Sequence, residues 1–254
     1  MNKLDDKTIF LTGASSGIGA ATAKVLGAAG AYLIAHYAGD EEGALAATAD
    51  IPSDHKLLLH ADFSQPGTGR EVWGQAVAWR DRIDVLVVNA AIMPETPLEA
   101  NDADWDVAWD RVLQVNVVEP ANLIRQAVLH YRKMGEGIII SMSSWAAQQG
   151  STIPQLTAYA ATKAAIKAIT QTVARVHAKD GVLAYVIAPG IVRTKMSEIS
   201  AASRGGEDAL RAILPLGDMV PPDEVANLVA FLSSGKCRHL SGATLDINGA
   251  AYVR

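Results

Sequence analysis

Short apolar runs alternate along this chain with longer stretches of mixed polarity. Thr8-Ile9-Phe10-Leu11-Thr12 is short, apolar and β-branched, and predicts a buried strand. Gly13–Gly19 reads as a turn, and Ala20–Ala29 as a helix stopped by Gly30. Tyr32–Tyr37 predicts the next strand. Strand, glycine turn, helix and strand make a βαβ unit, for which right-handed parallel crossover is the rule. The alternation continues with strands at Lys56–His60, Val85–Asn89, Gly137–Met142, Val182–Ile187 and Thr244–Ile247. Helices are expected at Gly69–Arg80, Trp105–Met134, Ala158–Ala178 and Pro222–Ser233. Pro120 predicts a break or kink near Asn116–Glu119. Seven strands alternating with helices define an α/β fold, a doubly wound parallel sheet with helices on both faces. No repeat, low-complexity tract or linker divides it, so residues 1–254 read as a single domain. Thr194–Pro221 is the least regular stretch, with Gly205-Gly206 between polar residues, and is a candidate flap over a site.

Composition narrows the class. Half of the 254 residues are apolar, Ala and Gly are abundant, and charge is sparse, as when helices pack closely on a buried sheet. The net charge is -5 and no basic cluster occurs, which argues against nucleic acid as a partner. Cys237 is the only cysteine, so no intrachain disulfide forms and a reducing, cytoplasmic location is the simpler expectation. The polar start, Met1–Lys7, lacks a signal-peptide pattern, and no apolar run reaches membrane-span length. A soluble protein with no membrane partner is expected. His36, His60 and His177 show no metal-ligand spacing, so no metal site is expected.

The candidate chemistry begins at the first turn. Gly13, Gly17 and Gly19 lie between a strand and a helix, where unpaired N–H groups and the helix dipole favour an anion and glycines let it approach the backbone. Ser15 and Ser16 can donate to a phosphate, cap the helix, or do both. Tyr159 and Lys163 are four apart in a helical segment and share a face. An ammonium there favours the phenolate and lowers the tyrosine pKa, which suits proton exchange with an alcohol oxygen. The strand Ile138–Met142 runs into Ser143 and Ser144, at the strand end where such sheets bind ligands.

Together these residues resemble the short-chain dehydrogenase/reductase family, nearly end to end. Thr12-Gly13-Ala14-Ser15-Ser16-Gly17-Ile18-Gly19 is similar to its cofactor loop. Asp62, beside Phe63, stands where the family places an acid near the adenine, and Val88-Asn89-Ala90-Ala91 where it carries Asn-Asn-Ala-Gly. Asn116, Ser144, Tyr159 and Lys163 fall on the catalytic positions, and Pro189-Gly190-Ile191-Val192-Arg193-Thr194 on the segment that meets the nicotinamide. The resemblance implies a Rossmann-like fold and an oxidoreductase moving a hydride between NAD or NADP and an alcohol or carbonyl carbon. It implies Tyr159 as general acid or base, Lys163 lowering its pKa and holding the ribose, and Ser144 holding the substrate oxygen, with Ser143 as a rival. Asn116 would hold a water that links Lys163 to solvent.

The departures from the family shape further expectations. Val88 and Ala91 replace an asparagine and a glycine, and the stretch from Ser144 to Tyr159 is longer than usual. Tyr37 stands where NAD enzymes of the family carry aspartate, followed by Ala38. No lysine or arginine but three acids, Asp40, Glu41 and Glu42, lie nearby, so NAD is favoured over NADP; His36-Tyr37 points the other way. The acids read equally well as a helix start. Met93, Trp145, Ile153, Ile191 and Met196 are candidates for the substrate wall. The resemblance also implies a homodimer or homotetramer. A dehalogenase-like lyase on the same fold would lack the glycine loop and Lys163, and a non-catalytic nucleotide sensor could dispense with Tyr159 or Ser144.

Overall fold

The computed structural model describes residues 3–195, 197 and 206–253. The apolar runs become strands β1 (Thr8–Leu11), β2 (Tyr32–Tyr37), β3 (Lys56–His60), β4 (Val85–Val88), β5 (Gly137–Met142), β6 (Val182–Pro189) and β7 (Thr244–Ile247). They form one sheet in the order β3-β2-β1-β4-β5-β6-β7, and every neighbouring pair is parallel. Every residue of β1, β4 and β5 is buried, which is why these strands read as unbroken apolar runs instead of alternating. The edge strands β3 and β7 are only half-covered.

Helices cover both faces. α1 (Gly17–Ala28), α2 (Glu41–Ala47) and α9 (Pro222–Ser233) pack on one side, with Ala23, Leu26, Val225 and Val229 among the buried contacts. α3 (Thr68–Arg80), α5 (Glu119–Met134) and α7 (Thr157–His177) pack on the other, where Trp73, Leu123 and Tyr131 fill the second half of the core. α4 (Asp102–Leu113), α6 (Ala146–Gln149) and α8 (Gly206–Ile213) lie in the connections. No helix among the described residues is long and apolar enough to cross a membrane.

One expectation is corrected. The glycine turn is shorter than Gly13–Gly19, because α1 begins at Gly17 and not at Ala20. A Cβ at Gly19 would lie 1.8 Å from the Gly13 carbonyl oxygen, so glycine there serves close packing inside the helix. The irregularity expected near Asn116–Glu119 takes the form of a π-helical turn, Gln114–Val118, which joins α4 to α5 without leaving helical backbone. Pro120, which has no N–H to donate, follows directly after it. Glu119, fully buried, pins that turn to α3. Its carboxylate accepts from the Gly67 and Gly69 N–H groups at 2.9 and 2.6 Å and from Gln114 Nε2 at 2.8 Å.

From β1 the chain builds outward through β2 and β3, then returns to lay β4 against the other side of β1. The connections leaving β1 and β4 therefore part at their carboxyl ends, which is where open parallel sheets bind ligands.

Candidate active site

A cavity of about 640 Å³ opens over those strand ends. The turn after β1 forms its floor. Gly13, at φ 71°, and Gly17, at φ 52°, hold left-handed backbone, and a Cβ on Gly13 would meet Ala90 Cα at 2.9 Å. Thr12 and Asn89 lock the turn to β4. The Thr12 hydroxyl accepts from the Asn89 and Ala90 N–H groups, and Asn89 Nδ2 donates to the Thr12 and Gly13 carbonyls at 2.9 and 3.1 Å. Ser16 occupies the N-cap position of α1 without a side-chain cap bond, and Ser15, Ser16 and Ile18 line the cavity. The result is a glycine cradle facing a helix N-terminus, with uncommitted amides and a free hydroxyl, which suits a pyrophosphate.

One end of the cavity is bounded by Ala38, Gly39, Asp40, Asp62 and Phe63. Asp40 caps α2, accepting from the Gly43 N–H at 2.9 Å. Asp62 accepts from the Ser64 N–H and hydroxyl, and these bonds hold its carboxyl below the usual range, helped by the nearby Arg111 charge. Tyr37, by contrast, does not line the cavity. Successive strand side chains point to opposite faces, so His36 turns inward while the Tyr37 ring lies 5.5 Å from His60, with Glu41 nearby.

At the other end Ser144, Tyr159 and Lys163 converge from the end of β5 and from α7. Ser144 Oγ accepts from the Ala146 N–H at 3.2 Å and is near enough to the Tyr159 phenol to favour its ionised form. Ser143 is engaged elsewhere, donating to the Lys163 carbonyl at 2.8 Å. The Lys163 ammonium lies 5.6 Å from the centre of the Tyr159 ring and donates to the Met142 carbonyl at 2.9 Å. The expected acidic phenol is not what these surroundings produce. Burial pushes Tyr159 up to about 12, against the opposing pull of nearby Ser144, and the same burial brings Lys163 down to about 8. Helical spacing foretold the shared face; the direction of the shift is set by desolvation, which outweighs the opposing effect of Ser144.

Asn116 lies outside the cavity, in the π turn. Its amide accepts from the Ile92 N–H and donates to the Ile92 carbonyl and to Thr162 Oγ1. Both amide protons are engaged, so it fastens the loop after β4 to α7. Pro189, Gly190, Val192 and Thr194 line the far wall. Gly190 leaves no room for a side chain, since a Cβ would meet Asn248 Cβ at 2.8 Å, and Asn248 Nδ2 in turn donates to the Tyr252 carbonyl. Asn89, Ala90 and Ala91 close the floor, and Met93, Trp145, Ile153 and Ile191 form an apolar wall. Met196 and 198–205 of the expected flap lie outside the described residues; 206–213 is helical. Sequence reasoning missed His36, Arg111, Leu156 and Ile213 as lining residues. Only His36 left a trace, at the end of a strand that feeds the site.

A parallel sheet with a glycine cradle at its switch point and a Ser–Tyr–Lys cluster across the cavity defines a dinucleotide-dependent oxidoreductase. The family model described as Enoyl-(Acyl carrier protein) reductase matches residues 13–250. The chain is 31% identical over 250 residues to 3beta-hydroxysteroid dehydrogenase 1 of Eggerthella lenta, covering 97% of this chain and 94% of that protein. It is 30% identical to L-rhamnose 1-dehydrogenase (NAD(P)(+)) of a Sphingomonas species, covering 100% and 99% of the two chains. Its structure is similar to that of 3-ketoacyl-(acyl-carrier-protein) reductase from Brucella melitensis complexed with NADH, with TM-score 0.85, 25% identity and 99% and 100% coverage. The chain belongs to the short-chain dehydrogenase/reductase family, whose chemistry is NAD(P)-dependent oxidoreduction.

Proposed function

We propose that this protein is an alcohol dehydrogenase or ketone reductase in which Tyr159 exchanges the proton and Ser144 holds the substrate oxygen. The observation that carries this reading is the convergence of Ser144, Tyr159 and Lys163 on the same cavity as the glycine cradle and an apolar wall. The dinucleotide supplies the hydride when bound. Gly13, Ser15, Ser16, Gly17, Ile18 and Gly19 would take its pyrophosphate, and Asp62, Phe63, Asn89, Ala90 and Ala91 its adenosine side. Lys163, Pro189, Gly190, Val192 and Thr194 would take the nicotinamide side. With its pKa near 12 the phenol is protonated at neutral pH, so it is ready to give its proton to a carbonyl oxygen. Lys163 stays mostly charged at that pH and holds positive potential beside the ring.

NAD is the preferred cofactor in this reading. Asp40 faces the cavity, and the cations that line it, Arg111, Lys163 and Lys195, come from other segments. A 2′-phosphate beside Asp40 would meet repulsion. The whole chain works as one domain, in the cytoplasm, as a homodimer or homotetramer. The lone cysteine supports that location. Leu113, Val118, Leu129 and Val176 are exposed apolar positions on α4, the π turn, α5 and α7, the helices on which a second copy would pack in this reading. Tyr159→Phe tests the chemistry. Turnover of any accepted ketone is expected to fall at least about a thousandfold, within the range for a lost proton donor, while NADH titration gives an unchanged Kd. A variant that retains activity would overturn the assignment.

A further inference from the structure

His36 is fully enclosed at the end of β2, yet its ring forms part of the cavity wall. Its two nitrogens have different partners. Nε2 faces the Ala61 carbonyl at 2.9 Å, and a carbonyl only accepts, so the proton sits on Nε2. Nδ1 is then bare and accepts the Gly13 N–H at 3.1 Å. Burial supports this neutral form by lowering the pKa to about 4. The ring also stacks on Phe63, with centroids 4.3 Å apart and planes 7° from parallel, and the His36 carbonyl accepts the Ala14 N–H at 2.8 Å. One residue thus ties together the glycine turn after β1, the end of β2 and the Ala61–Phe63 wall after β3.

We propose that His36 is a positioning residue for the dinucleotide, acting as a strut of fixed tautomer that sets the Gly13 turn against the Phe63 wall. The inference rests on the dinucleotide reading of the cavity. Gly13 has no Cβ and a left-handed φ, so little in its own covalent structure fixes the peptide that faces the phosphate site. The Nδ1 bond and the Asn89 bonds supply that restraint from opposite sides. Removing Nδ1 leaves the Gly13 N–H without its acceptor and frees the turn to rotate.

Calorimetric titration with NADH, alongside steady-state kinetics, tests this on three variants of the full chain. His36→Phe keeps the ring and the stack but loses both hydrogen bonds. It is expected to raise the Kd and KM for the dinucleotide by about tenfold or more, in line with a lost buried hydrogen bond. kcat at saturating cofactor and KM for the carbonyl substrate should stay within about twofold, a split that general loosening of the fold would not give. His36→Asn places an acceptor near the Nδ1 position and should bind NADH more tightly than His36→Gln, whose polar end lies farther out. If the phenylalanine variant does not fold, the Asn and Gln pair still decides. Wild-type NADH affinity in both, or a fall in kcat with unchanged cofactor KM, overturns the proposal. Failure of the wild-type protein to bind NADH would instead strike the dinucleotide reading itself.

Discussion

At the scale of the residue, burial makes Lys163 a cost to the fold. It is 5% exposed, with the Met142 carbonyl as its one hydrogen-bond partner among the described residues. Its pKa is lowered to about 8 in the folded chain, so keeping it charged at neutral pH opposes folding. The unfolded chain binds the proton more tightly, and stability therefore rises with pH from about 8 toward the usual lysine range. Lys163→Met should accordingly raise the midpoint of thermal unfolding at pH 7, with the gap to wild type narrowing above pH 8, and should abolish turnover. Calorimetry across that range, with an activity assay, checks both. The sequence showed Tyr159 and Lys163 and their shared face, because helical spacing is local information. It did not show the direction of the tyrosine pKa, which depends on what closes over the ring. It favoured Ser144 by resemblance and kept Ser143 as a rival; the Ser143 hydroxyl donates to the Lys163 carbonyl, a contact set by how α7 docks on β5.

At the scale of the element, strands were the most legible part. β2, β3, β5 and β7 have the bounds their short runs predict. Helix starts were harder. α1 reaches back into the glycine turn, where propensity argues against helix and packing argues for it. The short α2 was visible only as a cluster of acids, which prove to be its cap and first turn. Pro120 signalled an irregularity there, but not its π form or its anchor, Glu119, whose partners Gly67 and Gly69 lie about fifty residues away in the chain. Glu119→Gln turns one carboxylate oxygen into a donor facing an N–H. The expected cost is about 1–3 kcal/mol in urea unfolding, and it should come with weaker turnover, since Asn116 sits in the same turn. A stability equal to wild type would show that the turn holds without the carboxylate.

At the scale of the whole molecule, sheet order decides which distant segments meet. Alternating strands and helices announced a parallel sheet, and the switch between β1 and β4 then brings residues from 13 to 213 to one cavity. Helix α8 and its Ile213 were unforeseen because a loop-like sequence says nothing of where the loop folds back. Cofactor choice also belongs to this scale, since it reflects the charge of one whole end of the cavity. NAD is expected to raise the unfolding temperature more than NADP at equal concentration, since a ligand of the folded state stabilises it more the further its concentration exceeds its Kd. The reverse order would mean that Asp40 does not govern that end.

The contact between Gly190 and Asn248 has a practical side. The Gly190 wall of the cavity leans on Asn248, and that segment is braced by the Asn248–Tyr252 bond. An affinity tag or fluorescent partner fused after Arg254 is expected to tug on that wall. Loss of activity in a tagged preparation would then report the point of attachment, with the reacting groups themselves intact.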